Sequence, residues 1–342
     1  MRILHGLSGG VDSACAAKKL MDLGHEVEGA VLLMHEYTEI KAAELSASEL
    51  SIKLHVIDAK DEFDKTVKEN FISEYLSART PNPCIICNER IKFKFLYDYA
   101  MANGFDAIST GHYAKLTVIS DEYGERYAIS QADDLKKDQS YMLYRLPSFI
   151  LSKLILPLCN TTKSEVRKAA ADNALSVADR PDSQEICFLP DGNYAEYIES
   201  ARGKSKKGNF IDPDGRVLGT HNGIIRYTVG QRKGLGISLG TRVFVTEINP
   251  NNNTVTLSDT PIGSRKIRIF NVVFSGLTVK QLSEGTRVFV KIRYSAPLTE
   301  AFATLLENGE IELLFDTPQR AAPGQSAVAY IDGTVAFGGI IR

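Results

Sequence analysis

The stretch Gly6-Leu7-Ser8-Gly9-Gly10-Val11-Asp12-Ser13 follows a short apolar strand at residues 3–4 and precedes a predicted helix over residues 13–23. The adjacent glycines allow the backbone to approach an anion closely, and two serine hydroxyls add donors. The free N–H groups and the dipole at a helix N-terminus attract negative charge. The stretch therefore predicts a phosphate or pyrophosphate site. It matches neither the Walker loop, because no Gly-Lys-Ser/Thr follows, nor the dinucleotide pattern Gly-x-Gly-x-x-Gly.

The first 110 residues alternate between strand-like and helix-like segments. Apolar runs at 27–34, 54–57 and 107–109 predict strands, and the segments 42–50 and 61–76 predict helices. This rhythm predicts an α/β fold with a doubly wound parallel sheet whose ligands lie at the carboxyl ends of the strands. The glycine-rich stretch and Gly111 both fall at such ends. A hairpin over 115–130 and helices over 139–146 and 164–174 are predicted to follow.

Beyond residue 205 the pattern changes to short alternating runs separated by turn signals such as Asp-Pro-Asp-Gly at 212–215. This texture is typical of all-β structure. We predict one domain boundary near Gly203 and another near Gly263. A chain of 342 residues is also long enough for two or three domains.

The net charge of −2 conceals an asymmetry between the two parts of the chain. Residues 201–342 hold 18 Lys and Arg against 11 Asp and Glu, whereas residues 1–200 hold 22 against 31. A basic C-terminal part beside an acidic N-terminal part suits a polyanionic partner. The sequence shows no apolar run of membrane-spanning length and no secretory signal pattern, so we expect no membrane association and a cytoplasmic location.

The five cysteines, an odd number, argue against a disulfide framework and for chemistry or metal binding. Cys15 and Cys159 have apolar neighbours and are predicted to be inert. Prolines at 81 and 83 disfavour helix before Cys87, and a helix is predicted from residue 88 onward. Cys87 is then expected at a helix N-terminus, where the dipole lowers the thiol pKa. The nearby cations that are expected to add to this effect are Arg79, Arg90 and Lys92.

Cys187 lies in a dense polar segment, residues 180–188, which is typical of an active-site loop. It stands 100 positions after Cys87, so only the fold can bring the two thiols together. Zinc binding by Cys84 and Cys87 is weakly indicated, because no second Cys-x-x-Cys is present. An iron–sulfur cluster held by Cys84, Cys87 and Cys187 stays open as an alternative.

Eight motifs in order resemble those of the tRNA-specific 2-thiouridylase (MnmA/TrmU) family, whose members replace O2 of the wobble uridine by sulfur. The first resembles the PP-loop of ATP pyrophosphatases, which cleave ATP between its α and β phosphates. The motifs are GLSGGVDS at 6–13, TPNPCxxCN at 80–88, TGHYA at 110–114, KDQSY at 137–141, PDSQEICF at 181–188, YTVGQRKGLG at 227–236, RY at 293–294 and PQRAAPGQS at 318–326.

The resemblance implies site residues and cofactors by position in these motifs. ATP with Mg²⁺ would contact Gly6, Leu7, Ser8, Gly9, Gly10, Val11, Asp12, Ser13, Met34 and Gly111. The flipped target base would face Asn82, Pro83 and Cys84. Further tRNA contacts would come from His112, Lys137, Asp138, Gln139, Arg293, Tyr294 and Gln325. Cys187 would hold a persulfide that Cys87 attacks, leaving a Cys87–Cys187 disulfide.

The resemblance also implies the domains and the partners. It predicts a PP-loop catalytic domain over 1–203, a central β-rich tRNA-binding domain over 204–263 and a C-terminal β-barrel over 264–342. The expected substrates are tRNAs for Lys, Glu and Gln, and a cysteine desulfurase or sulfur relay protein would donate sulfur. Two departures stand out: the segment between Met34 and Leu54 is shorter than in many members, and some members have Asp in place of Cys84. Without that Asp, water or Asp12 is left to handle the proton.

Three alternative functions remain open on sequence alone. A PP-loop amidating or ligating enzyme would need neither Cys87 nor Cys187. An RNA-binding protein that uses the three cysteines only for a structural cluster would release no pyrophosphate from ATP. A third alternative keeps tRNA thiolation but takes sulfide from a [4Fe–4S] cluster on Cys84, Cys87 and Cys187.

Overall fold

Over the residues that the computed structural model describes (1–178, 180, 186–261, 263–283 and 285–342), the strands form three sheets. The elements of the N-terminal part, in chain order, are β1 (Arg2–Gly6), α1 (Val11–Asp22), β2 (Glu26–Leu33), α2 (Ile40–Glu49), β3 (Leu54–Asp58), α3 (Lys60–Phe63), α4 (Glu69–Leu76), α5 (Pro83–Cys87), α6 (Phe93–Ala102), β4 (Ala107–Thr110), β5 (Lys115–Asp121), β6 (Gly124–Ser130), α7 (Ser140–Leu143), α8 (Ser148–Leu151), β7 (Leu154–Ile155), α9 (Lys163–Asp172) and α10 (Tyr194–Arg202). Two π-helical segments, Asp64–Lys68 and Asn88–Lys92, join α3 to α4 and α5 to α6.

The first sheet is parallel, with strand order β3-β2-β1-β4-β7. Alternation along β1 sends Leu4 into one apolar core and Ile3 into another, so both faces of the sheet are covered. The predicted doubly wound α/β fold is confirmed. The predicted helix over 139–146 is wrong in its extent: α7 ends at Leu143, and helix resumes only after Pro147, because the residue before a proline avoids helical geometry.

The central part contains a four-stranded sheet with order β10-β11-β8-β9. A small apolar core around Phe210, Val245 and Val255 supports it. Its elements are β8 (Gly208–Ile211), β9 (Val217–His221), the 3₁₀ turn Ile224–Arg226, β10 (Phe244–Asn249) and β11 (Thr254–Ser258).

The C-terminal part is a closed barrel. Its elements are β12 (Ser264–Phe274), α11 (Val279–Leu282), β13 (Thr286–Lys291), β14 (Thr299–Leu305), β15 (Ile311–Gln319), β16 (Ser326–Ile331) and β17 (Thr334–Ile341). The strands run β12-β15-β14-β13-β16-β17, and pairing of β12 with β17 closes the six-stranded barrel. The predicted C-terminal β-barrel is confirmed. The hairpin β5–β6 extends the sheet through one pairing, Thr334 with Ser130.

Side chains from α7 and the turn after it fix the barrel to the N-terminal part. The hydroxyl of Tyr141 donates to the Ser326 carbonyl at 2.8 Å, and that of Tyr144 lies 3.1 Å from the Ser326 hydroxyl. A Cβ on Gly338 would lie 2.4 Å from the Tyr144 ring, so this close approach requires glycine.

The domain boundaries near Gly203 and Gly263 stay predictions; α10 ends at Arg202 and β12 begins at Ser264. In the described ranges, we find no helix that combines the length and the apolar character needed to cross a bilayer.

Candidate active site

The glycine-rich loop lies between the end of β1 and the start of α1. Gly9 adopts a φ of 75°, and a Cβ there would lie 2.6 Å from the Cβ of Ala42. Gly111, just after β4, packs equally closely, since its Cβ would lie 2.8 Å from the Ser13 nitrogen. The loop is thus held between α2 and the end of β4.

The N-terminus of α1 has the features of an anion site. Gly10 is the N-cap residue and supplies no side chain to cap the helix, so the first N–H groups remain available. The hydroxyls of Ser8 and Ser13 lie 3.2 Å apart, and Ser13 donates to the Gly10 carbonyl at 2.9 Å. The side chains of Leu7 and Val11 are buried in the core, so these two residues offer only backbone to a ligand.

A buried histidine, His5, contacts the end of this loop and the neighbouring strand β4. One ring nitrogen of His5 lies 2.9 Å from the Ser13 carbonyl and the other 3.1 Å from the Ser109 hydroxyl. Burial lowers the pKa of His5 to about 4, so its ring is neutral at physiological pH. Sequence analysis missed His5, although a histidine inside an apolar strand directly before the loop is a signal for such a role.

Asp12 is held by two residues that sequence analysis also missed. The Lys163 ammonium lies 2.7 Å from each carboxylate oxygen of Asp12, and the Tyr113 hydroxyl donates to Asp12 at 2.6 Å. Nearby, Arg180 donates to the Gly9 carbonyl at 2.9 Å and forms an ion pair with Glu39. The first residue of the polar segment 180–188 therefore contacts the glycine-rich loop.

The cysteine-bearing helix begins earlier than the sequence predicted. Asn82 is the N-cap residue and Pro83 the first residue of α5, a position where proline is favourable because its missing N–H would have no partner. Cys84 is exposed, whereas Cys87 is buried at the end of α5. The expected position of Cys87 at a helix N-terminus is therefore wrong. Its expected low pKa is also wrong, because burial raises the pKa of this thiol to about 12.

One lysine faces all three thiols of the candidate site. The charge of Lys92 lowers the pKa of Cys87 and Cys187 against the larger effect of burial, which raises both. Burial alone would lower the pKa of Lys92, but the neighbouring thiols raise it overall. The other two predicted cations do not contribute in this way: Arg79 pairs with Glu74 at 2.8 Å, and Arg90 is largely exposed.

The structure brings Cys187 toward Cys87. Phe188, the residue after Cys187, is buried against Phe63 and Phe71 in the same apolar core as Cys87. All five cysteines are free thiols, so the Cys87–Cys187 disulfide stays a prediction. Residues 181–185 of the predicted motif lie outside the described residues.

Met34 contacts Cys87 and lies at the same edge of the sheet as the glycine-rich loop. It follows β2, the strand beside β1, and its sulfur lies 3.8 Å from the Cys87 sulfur. In the part of the chain that the structure describes, no three His, Cys, Asp or Glu side chains are arranged to hold a metal ion. Cys84, Cys87 and Cys187 therefore do not fit a cluster in this arrangement.

The barrel holds the segment before α5. The Gln325 side-chain amide donates to the carbonyls of Thr80, at 2.8 Å, and Pro81, at 3.3 Å. The Thr80 N–H in turn donates to the Pro323 carbonyl at 2.8 Å. The Asn82 amide contacts the sulfur of Met142 at 3.7 Å. Gln325 is thus placed to orient the cysteine-bearing segment, and its predicted contact with tRNA stays a prediction.

Two other predicted tRNA contacts have partners within the protein. A ring nitrogen of His112 lies 2.9 Å from the Thr110 hydroxyl, and burial, aided by the charge of Lys92, lowers the pKa of His112 to about 3. The Gln139 side chain accepts from the Tyr113 N–H at 2.9 Å.

The remaining predicted contacts differ sharply in exposure. Asp138 is buried and accepts from the Ala132 N–H, the Ser140 N–H and the Ser140 hydroxyl at 3.1, 3.2 and 2.8 Å. Burial and the charge of Asp138 raise the pKa of the partly exposed Tyr294, and the charge of Lys137 opposes this rise. These three residues therefore lie in one region. Arg293, beside Tyr294, is exposed.

The central part offers a basic cleft. It has a volume of about 520 Å³, and its lining includes Arg232, Arg242 and the glycines 234 and 236 of the YTVGQRKGLG motif. Thr228 of the same motif accepts from the Thr80 hydroxyl at 3.2 Å. Central part and cysteine-bearing segment are therefore in direct contact.

Comparisons with known proteins cover the whole chain. Three family models match in order: the tRNA methyl transferase HUP domain over residues 1–191, the tRNA methyl transferase PRC-barrel domain over 195–259 and the aminomethyltransferase beta-barrel domain over 264–341. A tRNA-specific 2-thiouridylase MnmA from Acetivibrio thermocellus is 42% identical over 359 aligned residues, covering 100% of this chain and 99% of the relative. The chain belongs to the tRNA-specific 2-thiouridylase family.

Other members of the 2-thiouridylase family match over the same extent. The tRNA-specific 2-thiouridylase MnmA 1 of Clostridium botulinum strain Hall is 39% identical, again covering 100% of this chain and 99% of the relative. Among solved structures, a predicted tRNA methyltransferase subunit from Methanocaldococcus jannaschii is 19% identical, with a TM-score of 0.33 over 50% of this chain and 74% of that one. The family models and the 2-thiouridylase relatives confirm, at the level of the family, the resemblance drawn from the eight motifs.

Proposed function

We propose that the chain is an ATP-dependent, cytoplasmic tRNA uridine 2-sulfurtransferase that acts on the wobble uridine of tRNAs for Lys, Glu and Gln. The observation that supports this most is the contact of Cys87 with Met34. Met34 follows β2, and the glycine-rich loop follows the adjacent parallel strand β1. A thiol centre and a pyrophosphate loop at one edge of one sheet suit a reaction that uses both on a single base.

The first half of the reaction makes the uracil oxygen a leaving group. O2 of the base attacks the α-phosphorus of ATP, the bond to the bridging oxygen breaks, and pyrophosphate leaves. The base is then adenylated at O2, so the oxygen can depart as part of AMP. The N-terminus of α1 and the hydroxyls of Ser8 and Ser13 favour binding of the phosphates. Mg²⁺ bound to ATP would supply neutralisation of the phosphate charge.

The second half transfers sulfur from a cysteine persulfide to C2 of the base. A sulfur-donor protein leaves a persulfide on Cys187. The Cys87 thiolate attacks the inner sulfur of that persulfide, the sulfur–sulfur bond breaks, and hydrosulfide leaves to displace AMP from C2. The two cysteines end as a disulfide, which an external thiol must reduce before the next turnover. The charge of Cys187 adds to the rise in the pKa of Cys87, so the two thiols lie within electrostatic range, which supports their pairing.

The electrostatics of the thiol centre favour control by the substrate. Burial keeps Cys87 protonated at neutral pH in this conformation, and Lys92 is the nearby cation that favours its thiolate. Deprotonation of Cys87 therefore requires a change in its surroundings, which we assign to tRNA binding. A thiol that stays protonated without tRNA is protected from oxidation.

Access of the base is proposed at the start of α5. A stacked base hides its O2, so the uridine must be flipped out. Cys84 is exposed and Asn82 is partly exposed, so a flipped base can approach these two residues, whereas Pro83 is buried beneath them. The basic cleft lined by Arg232 and Arg242 suits the phosphate backbone.

The test is anaerobic thiolation of tRNA that has uridine at the wobble position, read out by nucleoside mass spectrometry. ATP, Mg²⁺ and a persulfide donor are supplied to the wild type, Cys187→Ser, Cys87→Ser and the control Cys159→Ser, a cysteine outside the site. We expect thiouridine from the wild type and the control, and none from the other two variants.

Other outcomes separate the alternatives. Product from sulfide alone on iron-loaded protein would favour the cluster mechanism. Normal turnover by Cys187→Ser would exclude a persulfide on that residue. If tRNA binds but neither thiouridine nor pyrophosphate forms, the proposed function is wrong and an RNA-binding role remains.

A further inference from the structure

The segment that follows Cys87 contains a π-helical turn, Asn88–Lys92, between α5 and α6. In an α-helix the backbone bonds join residues four apart, whereas in a π-helix they join residues five apart. The Phe93 N–H donates to the Asn88 carbonyl, which fixes this register. The same register places Lys92, five residues after Cys87, one turn above that thiol. Turns of this kind are rare and often occur at functional sites.

The residues on either side of Lys92 fix its position. Ile91 is buried in the same apolar core as Cys87. Phe93 is fully buried, and its ring centroid lies 5.4 Å from that of His112, which follows β4. Lys92 is partly exposed between these two anchors. It therefore lies between the thiols and the edge of the sheet that carries the glycine-rich loop.

The thiols of Cys84, Cys87 and Cys187 all lie within electrostatic range of Lys92. Burial raises the pKa of Cys87 to about 12, and both the ammonium and the backbone N–H of Lys92 oppose that rise. Burial also raises the pKa of Cys187, again against the charge of Lys92. The ammonium is thus near enough to stabilise a negative charge on these sulfurs.

Within the described part of the chain, no carboxylate pairs with Lys92, and the charges that act on it come from the three thiols. Other lysines with little exposure have a carboxylate partner. The pairs are Lys68 with Asp64, Lys163 with Asp12 and Lys291 with Asp138. An ammonium removed from water is costly unless an anion offsets its charge. An anionic sulfur is the partner that this site can supply.

We infer that Lys92 stabilises the sulfur anions of the transfer step, first the Cys87 thiolate and then the hydrosulfide that leaves Cys187. The inference rests on the proposed function and adds a residue to it. In this step the Cys87 thiolate attacks the inner sulfur of the Cys187 persulfide, and a disulfide forms. The bond between the inner and outer sulfurs breaks, and the outer sulfur leaves with the electron pair as hydrosulfide. The negative charge moves from one sulfur to another, so a fixed cation that faces both lowers the barrier.

The test follows a single round of sulfur transfer on the full chain. A cysteine desulfurase with radiolabelled cysteine loads the persulfide, and ATP, Mg²⁺ and tRNA with uridine at the wobble position are then added. Pyrophosphate release and labelled thiouridine are measured in the same sample. We expect Lys92→Met to release pyrophosphate at the wild-type rate but to form thiouridine about 10- to 100-fold more slowly, the effect of losing one charge-assisted contact.

The matched control is Lys94→Met, which removes an exposed lysine of α6 that pairs with Asp98. We expect this control to match the wild type in both measurements.

A charged substitute separates this role from simple packing. Methionine keeps most of the length of the lysine side chain without its charge, whereas arginine keeps the charge and changes the shape. Faster transfer by Lys92→Arg than by Lys92→Met supports the inference. Equal or faster transfer by Lys92→Met overturns it, as does pyrophosphate release that is slowed as much as thiouridine formation. Should Lys92→Met fail to fold, Lys92→Gln takes its place in the same comparison.

Failure of the inference differs visibly from failure of the proposed function. A wild type that forms neither thiouridine nor pyrophosphate overturns both. An active wild type, together with a folded neutral variant of Lys92 that transfers sulfur as fast as Lys92→Arg, overturns only the role of Lys92.

Discussion

Asp138 offers the sharpest test of whether a residue predicted to contact tRNA has an internal role. Its carboxylate is buried, accepts three hydrogen bonds from residues 132 and 140, and lies 3.7 Å from the Lys291 ammonium of the barrel. Asp138→Ala would leave these donors and the largely buried ammonium of Lys291 without this acceptor. Breaking a buried, hydrogen-bonded ion pair typically costs about 3–5 kcal/mol. At roughly 2 °C per kcal/mol, the melting temperature should fall by at least about 6 °C.

The assay combines thermal unfolding by circular dichroism with tRNA filter binding at a temperature where the variant is folded. Asp138→Asn keeps one acceptor oxygen and should lose less stability than Asp138→Ala. The control is Asp133→Ala, which removes an exposed carboxylate paired with Lys115 and should change stability by less than about 1 kcal/mol. An unchanged melting temperature for Asp138→Ala together with weaker tRNA binding would refute the internal role and support a direct contact.

Three further predictions concern the candidate site. Gly111→Ala places a Cβ 2.8 Å from the Ser13 nitrogen, so calorimetry should show ATP binding weakened at least about tenfold; equal affinity would contradict the close packing. Because the folded pKa of His5, about 4, lies below the unfolded value of 6.5, its contribution to stability is complete above pH 6.5. About 2 kcal/mol of it should be lost by pH 5, a loss that melting curves of His5→Asn should lack; parallel curves would contradict this. Iodoacetamide at pH 7.5 should modify Cys84 before the buried Cys87, and peptide mass spectrometry showing the reverse order would refute the burial argument.

The fold could be predicted from the sequence because its signals are local. The apolar run of β2 predicts a buried strand, the glycine-rich residues after β1 predict an anion-binding loop, and turn residues mark the β-rich parts. The error at α5 is local too. The prolines at 81 and 83 predict no helix before Cys87, and this prediction is wrong because Pro83 itself begins α5, so that Cys87 lies at a buried helix end rather than at a helix start.

The missing parts of the site depend on contacts between distant residues. Lys163 reaches Asp12 across 151 positions, and the Gln325 amide reaches Thr80 across 245. No periodicity or spacing encodes such pairs. The direction of the Cys87 pKa shift also could not be predicted from the sequence, because it depends on how far the folded chain excludes water from this thiol. A lysine at the first position of α9 was the one local hint, since it opposes the helix dipole.

The bond between Gln325 and Thr80 sets an order of events during synthesis of the chain. A ribosome that adds about 5–20 residues per second needs roughly 12–50 seconds to make the 245 residues that separate the two partners. For that time the cysteine-bearing segment exists without the turn that orients it. The parallel sheet, whose last strand β7 ends at Ile155, can therefore form before the residues that orient the cysteine-bearing segment have been made.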